Sequence, residues 1–295
     1  DLLGTLLWPL SGLLAIVVSA LAIAQYSSLQ HEMLHGHPFG NPWLDDALVF
    51  PSLTVFVPYL RFKDTHLQHH YDPNLTDPYD DPESNYMDPK VWECTSRPMQ
   101  KLLRLNNTLL GRILLGPAIG TWFFSGPDIA QMLAGNRRIL QSWVMHGLGF
   151  VPVLIWLWGF TEMPVWAWVV AAYIGYGILK IRTYLEHRAH EAFRARTVII
   201  EDQGPLSLLF LNNNLHVVHH CHPALPWYKL PDLYAAKGDH YRRRNDSYVY
   251  GSYPDIDELF QLRQRRGVTL SEAGTLMNNP NVFGSMMVRM GDADA

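Results

Sequence analysis

Cysteine is nearly absent: Cys94 and Cys221 are the only two in 295 residues. That excludes a disulfide scaffold, a four-cysteine zinc or rubredoxin site, and an iron–sulfur cluster ligated by this chain alone. An excess of positive charge is missing too. The 23 Lys and Arg face 27 Asp and Glu, for a net charge of −4, so the electrostatic footprint that a nucleic-acid partner needs is lacking. No Gly-x-Gly-x-x-Gly fingerprint occurs, so neither NAD(P)H nor a flavin is bound through that motif. No repeat at a solenoid period and no low-complexity linker divides the chain, which reads as a single domain over 1–295.

Charge is also absent from long blocks, and these carry the membrane signal. The mean hydropathy of −0.04 averages polar segments with uncharged ones. Residues 2–26 form an uncharged run of 25. As a helix it would run about 37 Å at about 1.5 Å per residue, enough to cross a hydrocarbon core of about 30 Å. A partner for this span is expected upstream of Asp1, and no basic n-region or cleavage site marks a signal peptide. Residues 142–160 and 164–181 are apolar and tryptophan-rich, with only Thr161, Glu162 and Met163 between them. They predict a transmembrane hairpin. Of the Lys and Arg residues, nine lie within 61–138, one is Lys180 and thirteen lie within 182–289, while the hairpin turn has none. The positive-inside rule therefore puts the histidine-bearing segments in the cytoplasm and the Glu162 turn outside. Residues 47–60 and 108–124, broken by Pro51, Pro58, Arg112, Gly116 and Pro117, predict interfacial or re-entrant helices. Arg242, Arg243 and Arg244 read as a solvated or headgroup-facing patch, followed beyond about Pro254 by a surface-lying tail.

What is abundant is histidine, fourteen residues in all. Four clusters stand out: His31-Glu32-Met33-Leu34-His35-Gly36-His37, His66-Leu67-Gln68-His69-His70, Glu186-His187-Arg188-Ala189-His190 and His216-Val217-Val218-His219-His220. On a helix, positions i and i+4 share a face, so His31 with His35, His66 with His70, and His216 with His220 can each reach one metal ion. His69 and His219 lie about 100° around the helix and can reach a neighbouring ion. With His187 this makes nine imidazoles, more than the four that one zinc needs, which argues for two ions. Imidazole suits iron, copper, nickel and zinc alike, so residue type leaves the metal open. His146 is expected to pack as a polar group between helices, and His222 and His240 to be loop residues. His37 and His190 stay open between partners of the ligands and bystanders. Most of the nearby carboxylates (Glu32, Asp64, Asp72, Asp77, Asp80, Asp81, Glu83 and Glu186) are expected to be solvated, with some orienting imidazoles through the second ring nitrogen. Asn212, Asn213 and Asn214 suit a helix N-cap, or else a water-mediated contact to a metal.

Taken together, HxxxH at 31–35, HxxHH at 66–70, HxxHH at 216–220 and the added His187 resemble the membrane fatty acid desaturase superfamily, the integral-membrane di-iron enzymes with three histidine boxes. The flanking phrases Asn74-Leu75-Thr76-Asp77-Pro78, Asp81-Pro82-Glu83-Ser84 and Pro226-Trp227-Tyr228 resemble its bacterial branch, and the similarity spans about 31–231. The resemblance implies an all-α integral-membrane bundle, with a cytoplasmic helical cap (27–141 and 182–295) holding a dinuclear metal site in a bacterial inner membrane. It implies metal ligation by His31, His35, His66, His69, His70, His187, His216, His219 and His220, two iron ions as cofactor, and O₂ as co-substrate. The implied reaction is desaturation of a fatty acyl chain or similar lipophilic molecule. Hydroxylation on the same scaffold is the alternative, because the outcome depends on where the substrate carbon sits relative to the oxidant. Electrons are expected from a separate ferredoxin or rubredoxin docking on the basic cytoplasmic face. Two features depart from the pattern: His37 extends the first box to HxxxHxH, and only one span precedes it.

Two rivals belong to other classes. His31-Glu32-Met33-Leu34-His35 satisfies HExxH, the zinc and general-base motif of an intramembrane metalloprotease, but that reading leaves both HxxHH boxes unexplained. A metal transporter should hold its site near the bilayer midplane, where only His146 is available.

Overall fold

The computed structural model describes residues 2–184 and 186–253, so the tail expected beyond Pro254 lies outside the described residues. Among the described residues nearly all regular structure is helical. The helices are α1 (Leu2–Leu6), α2 (Gly12–Leu34), α3 (Pro42–Leu48), α4 (Tyr59–His69), α5 (Pro89–Cys94), α6 (Arg97–Asn106), α7 (Leu109–Leu133), α8 (Arg137–Phe160), α9 (Val165–Thr183), α10 (Pro205–Leu209), α11 (His216–Cys221) and α12 (Leu230–Arg244). One short parallel pair, β1 (Ile199–Ile200) and β2 (Val249–Tyr250), aligns Ile199 with Val249 and Ile200 with Tyr250.

Three helices, α2, α8 and α9, are long and apolar enough to cross a membrane. The hairpin matches expectation, with each helix a little longer than predicted. The first apolar run does not form one helix. It breaks after Leu6, where Pro9 has no N–H to donate, and restarts when the Ser11 side chain accepts from the Leu14 amide at 3.3 Å. The second helix then continues to Leu34 and carries His31 in its last turn. One further expectation is corrected and another extended. Residues 49–58 are not helical, because Pro51 and Pro58 bias the residues before them away from the α region. Residues 109–124, by contrast, belong to the 25-residue α7, which keeps Pro117 and Pro127 inside it. The Pro117 carbonyl accepts from the Thr121 hydroxyl at 2.7 Å, the kind of local repair that lets proline sit within an apolar helix.

The chain divides into two compact units. The first comprises the chain up to Asp64, Ile113–Ile181 and Leu209–Leu211. Its core joins Ala20 and Ile23 of α2, Leu157 of α8, and Ala167, Ala171 and Ala172 of α9. Small side chains let the backbones close in: a Cβ added at Gly175 would meet the Ala20 carbonyl oxygen at 2.7 Å. Leu13, Val17 and Leu21 on α2, and Val144, Leu148, Val151 and Ile155 on α8, are exposed at helical spacing, an apolar stripe suited to lipid. His146 packs as expected, its Nε2 donating to the Val55 carbonyl at 2.8 Å.

The second unit comprises Thr65–Arg112, Arg182–Leu208 and the chain from Asn212 onward. Ile199, Val217, Val218, Leu230 and Tyr241 form its core. Buried Arg188 ties two of its loops together, with Nε donating to the Ala195 carbonyl at 2.9 Å and Nη2 to the Asn245 carbonyl at 3.0 Å. Its guanidinium lies 4.4 Å from the centre of the Tyr248 ring.

Candidate metal centre

Seven of the nine predicted ligand histidines lie in the second unit, six of them on or beside two short helices. The fourth helix carries His66 and His69, with His70 directly after it, and α11 carries His216, His219 and His220. Rotation of α11 is set by Val217 and Val218, which are buried in the core and turn its histidines inward. His187 follows α9 on non-helical backbone and forms an isolated antiparallel bridge with Thr197.

The histidines sort into two groups. His69, His187, His216 and His220 present ring nitrogens within 4.8 Å of one another, and so do His66, His70 and His219. Each i,i+4 pair stays in one group while its middle partner crosses to the other. His69 thus joins His216 and His220, and His219 joins His66 and His70. In the first group, His187 Nε2 is 2.9 Å from His69 Nε2 and 3.1 Å from His216 Nε2. In the second, His70 Nε2 is 3.0 Å from His66 Nε2 and 3.3 Å from His219 Nε2.

These distances fit a cation better than a hydrogen-bond network. The far nitrogen of His69 donates to Asp81 Oδ1 at 2.8 Å, and that of His216 to Asn213 Oδ1 at 2.9 Å. In the neutral rings both Nε2 atoms therefore carry lone pairs, and both face His187 Nε2, which can supply only one proton. His66 repeats the arrangement, its Nδ1 lying 3.1 Å from Glu83 Oε1. Metal–nitrogen bonds of about 2.1 Å place neighbouring ligand atoms about 3.0 Å apart at right angles and about 3.4 Å apart at the tetrahedral angle. The observed contacts, 2.9 to 3.3 Å, lie inside that interval or about 0.1 Å below it.

Electrostatics agree. Burial, reinforced by positive charge on neighbouring imidazoles, holds His187 and His216 well below the usual histidine range and keeps them neutral, as a ligand must be. Burial would lower His69 as well, but Glu83, Asp81 and Glu186 outweigh it and raise its pKa to about 9. The carboxylates therefore favour positive charge at this spot, which a bound cation would supply.

His31 and His35 belong to the first unit, at the end of α2, with ring centroids 5.1 Å apart. Burial, and then His37, lowers the His35 pKa to about 4. Three further histidines are engaged elsewhere. His190 lies 3.3 Å from Asp246 Oδ2 and accepts from the Ala192 amide, His222 Nε2 is 2.9 Å from the Tyr241 hydroxyl, and His240 packs edge-on against Tyr241.

The asparagine expectation is corrected. Leu215, not an asparagine, caps α11, and no side chain supplies the cap. Asn213 instead holds His216, while Asn214 Nδ2 donates to the Ile200 and Asp202 carbonyls at 2.6 and 3.1 Å. Sequence reasoning missed Tyr86. Its buried hydroxyl donates to the His187 carbonyl and accepts from the Ala189 amide, both at 3.1 Å, and so pins the one group member that no helix holds. No local spacing could reveal this, because the partners lie 101 and 103 positions apart.

A protein-family model described as Fatty acid desaturase matches residues 6–252. A second, described as Phosphate acetyl/butaryl transferase, matches residues 245–295, a short stretch mostly outside the described residues. No curated protein matches the chain.

Proposed function

The chain belongs to the fatty acid desaturase family, and so to the oxidoreductases that act on lipophilic substrates; we propose that it is an O₂-dependent di-iron desaturase of a fatty acyl chain or similar molecule. One iron would be held by His69, His187, His216 and His220, the other by His66, His70 and His219; His31 and His35 are ligands by the family resemblance. When bound, the iron pair supplies reduction of O₂ with two external electrons and the power to take hydrogen from an unactivated C–H bond. The chain's own residues prepare for it. Asp81, Glu83 and Asn213 hold the far ring nitrogens, which leaves the near ones free to bind metal. Burial excludes water from His66, His69, His216 and His219.

The observation that carries this reading is the convergence of Nε2 atoms, with the rings of His66, His69 and His216 held from behind by Glu83, Asp81 and Asn213. The family match, over residues 6–252, includes residues of both units, which supports reading them as one catalytic domain. We place this domain in a bacterial inner membrane with the histidines on the cytoplasmic side. A separate ferredoxin or rubredoxin would deliver electrons to the basic face around exposed Arg243.

Metal analysis of the detergent-purified protein, expressed with iron, tests the reading. About two ions per chain are expected, as iron or iron with zinc, since zinc lies higher in the affinity order. One zinc per chain would restore the HExxH protease, which leaves the seven histidines of the second unit without a role. New double bonds in the lipid profile distinguish desaturation from hydroxylation. Tyr86→Phe, which removes one hydroxyl, is expected to weaken binding of one ion about 10–100-fold and leave the other unchanged, as competitive metal titration would show.

A further inference from the structure

Arg112 is a buried cation without an anion. It is only 6% exposed, and no Asp or Glu among the described residues pairs with it. Its Nη1 donates to Asn85 Oδ1 at 2.8 Å, its guanidinium lies 5.9 Å from the centre of the Tyr184 ring, and its Nε has no hydrogen-bond partner. The other buried arginines of this unit are provided for. Arg182 pairs with Glu186 at 2.9 Å, and Arg188 donates to the carbonyls of Ala195, Asn245 and Asp246. Position compounds the anomaly: Arg112 sits in the first turn of α7, and that turn holds no acidic residue. The partial positive charge of a helix N-terminus disfavours a cation there and favours an anion. A buried guanidinium with five donors and one hydrogen bond is costly unless something negative joins it.

We propose that Arg112 and Asn85 form an anion site that takes the carboxylate or phosphate head of the substrate, an inference resting on the lipophilic-substrate reading above. A guanidinium fork matches the paired oxygens of either group. The site shares its two chain segments with the histidines. Asn85 precedes Tyr86, whose hydroxyl holds His187, and Tyr184 lies three positions before His187. A head fixed at Arg112 would give the acyl chain a defined start relative to the histidine groups, as selection of one carbon requires.

The test titrates the full-length protein in detergent, followed by tryptophan fluorescence, with hexadecanoate, hexadecanol and inorganic phosphate. Wild type should bind hexadecanoate about tenfold or more tighter than hexadecanol, a preference that Arg112→Gln erases by weakening hexadecanoate alone. Arg112→Lys, which keeps the charge, should retain part of it and serves if the glutamine variant does not fold. Unchanged metal content confirms an intact fold. Competition by phosphate would show that the site also takes a free oxyanion, and its absence that the anion must arrive on an acyl chain; either is consistent with the site. Equal affinity of wild type for hexadecanoate and hexadecanol, or equal weakening of both in the variant, overturns it. An intact preference in a protein that makes no double bonds would fault the desaturase reading and leave the anion site standing.

Discussion

Replacing His69 by alanine is expected to lower desaturation more than about 100-fold, beyond the about 10–100-fold that partners behind the ligands usually cost. Bound metal should fall from about two ions per chain towards one. His69 is the hinge of its group. On one side it meets His187 Nε2, on the other Asp81, which also accepts from the Thr76 and Glu83 amides. On the proposed reading alanine removes a ligand, and it leaves the buried Asp81 carboxylate with its two amide donors alone. Glu32→Gln provides the contrast. The desaturase reading expects it to weaken activity only, whereas an HExxH protease would lose its general base. Oxidation of a fatty acyl substrate, assayed alongside metal content, decides between them. A fully active His69→Ala protein holding two ions would remove His69 from the metal site.

The second large effect concerns stability. Asp128 is buried, receives Arg61 through both Nε and Nη2 at 2.9 Å, and accepts from the Trp143 indole at 2.9 Å. Asp128→Ala should cost about 3–5 kcal/mol, because it removes both short charge-assisted hydrogen bonds of a largely buried guanidinium and leaves only the more distant Asp64, 3.8 Å away. Denaturant unfolding in detergent would measure the loss. The double variant Arg61→Met/Asp128→Leu should recover most of it, since an apolar pair has no charge to desolvate. Failure to recover would show that Trp143 or the local packing, rather than the ion pair, carries the stability.

Much of this architecture is legible without coordinates. Uncharged runs predict α2, α8 and α9, because a bilayer imposes a length and forbids charge, and both constraints are local. The i,i+4 spacing of His66 with His70 and of His216 with His220 is equally local, since 3.6 residues make a turn whatever surrounds the helix. What a charge count misses is the break between α1 and α2 and the continuity of α7. Those depend on a serine cap and on a helix absorbing two prolines, and both are decided by neighbouring backbone.

By itself, then, the sequence determined the helical class, the apolar hairpin, most of the apolar helix before it, the family and the histidines available for metal. Only the tertiary structure decided how those histidines combine. His69 meets His187 across 118 positions and His219 meets His70 across 149, contacts that no helical period encodes. The same holds for the groups behind them: Asp81, Glu83 and Asn213 are ordinary polar residues until packing sets them against an imidazole. Arg112 is the converse case, a residue read from sequence as an interruption in an apolar run. Its burial without a counter-charge arises only once the chain around it has folded.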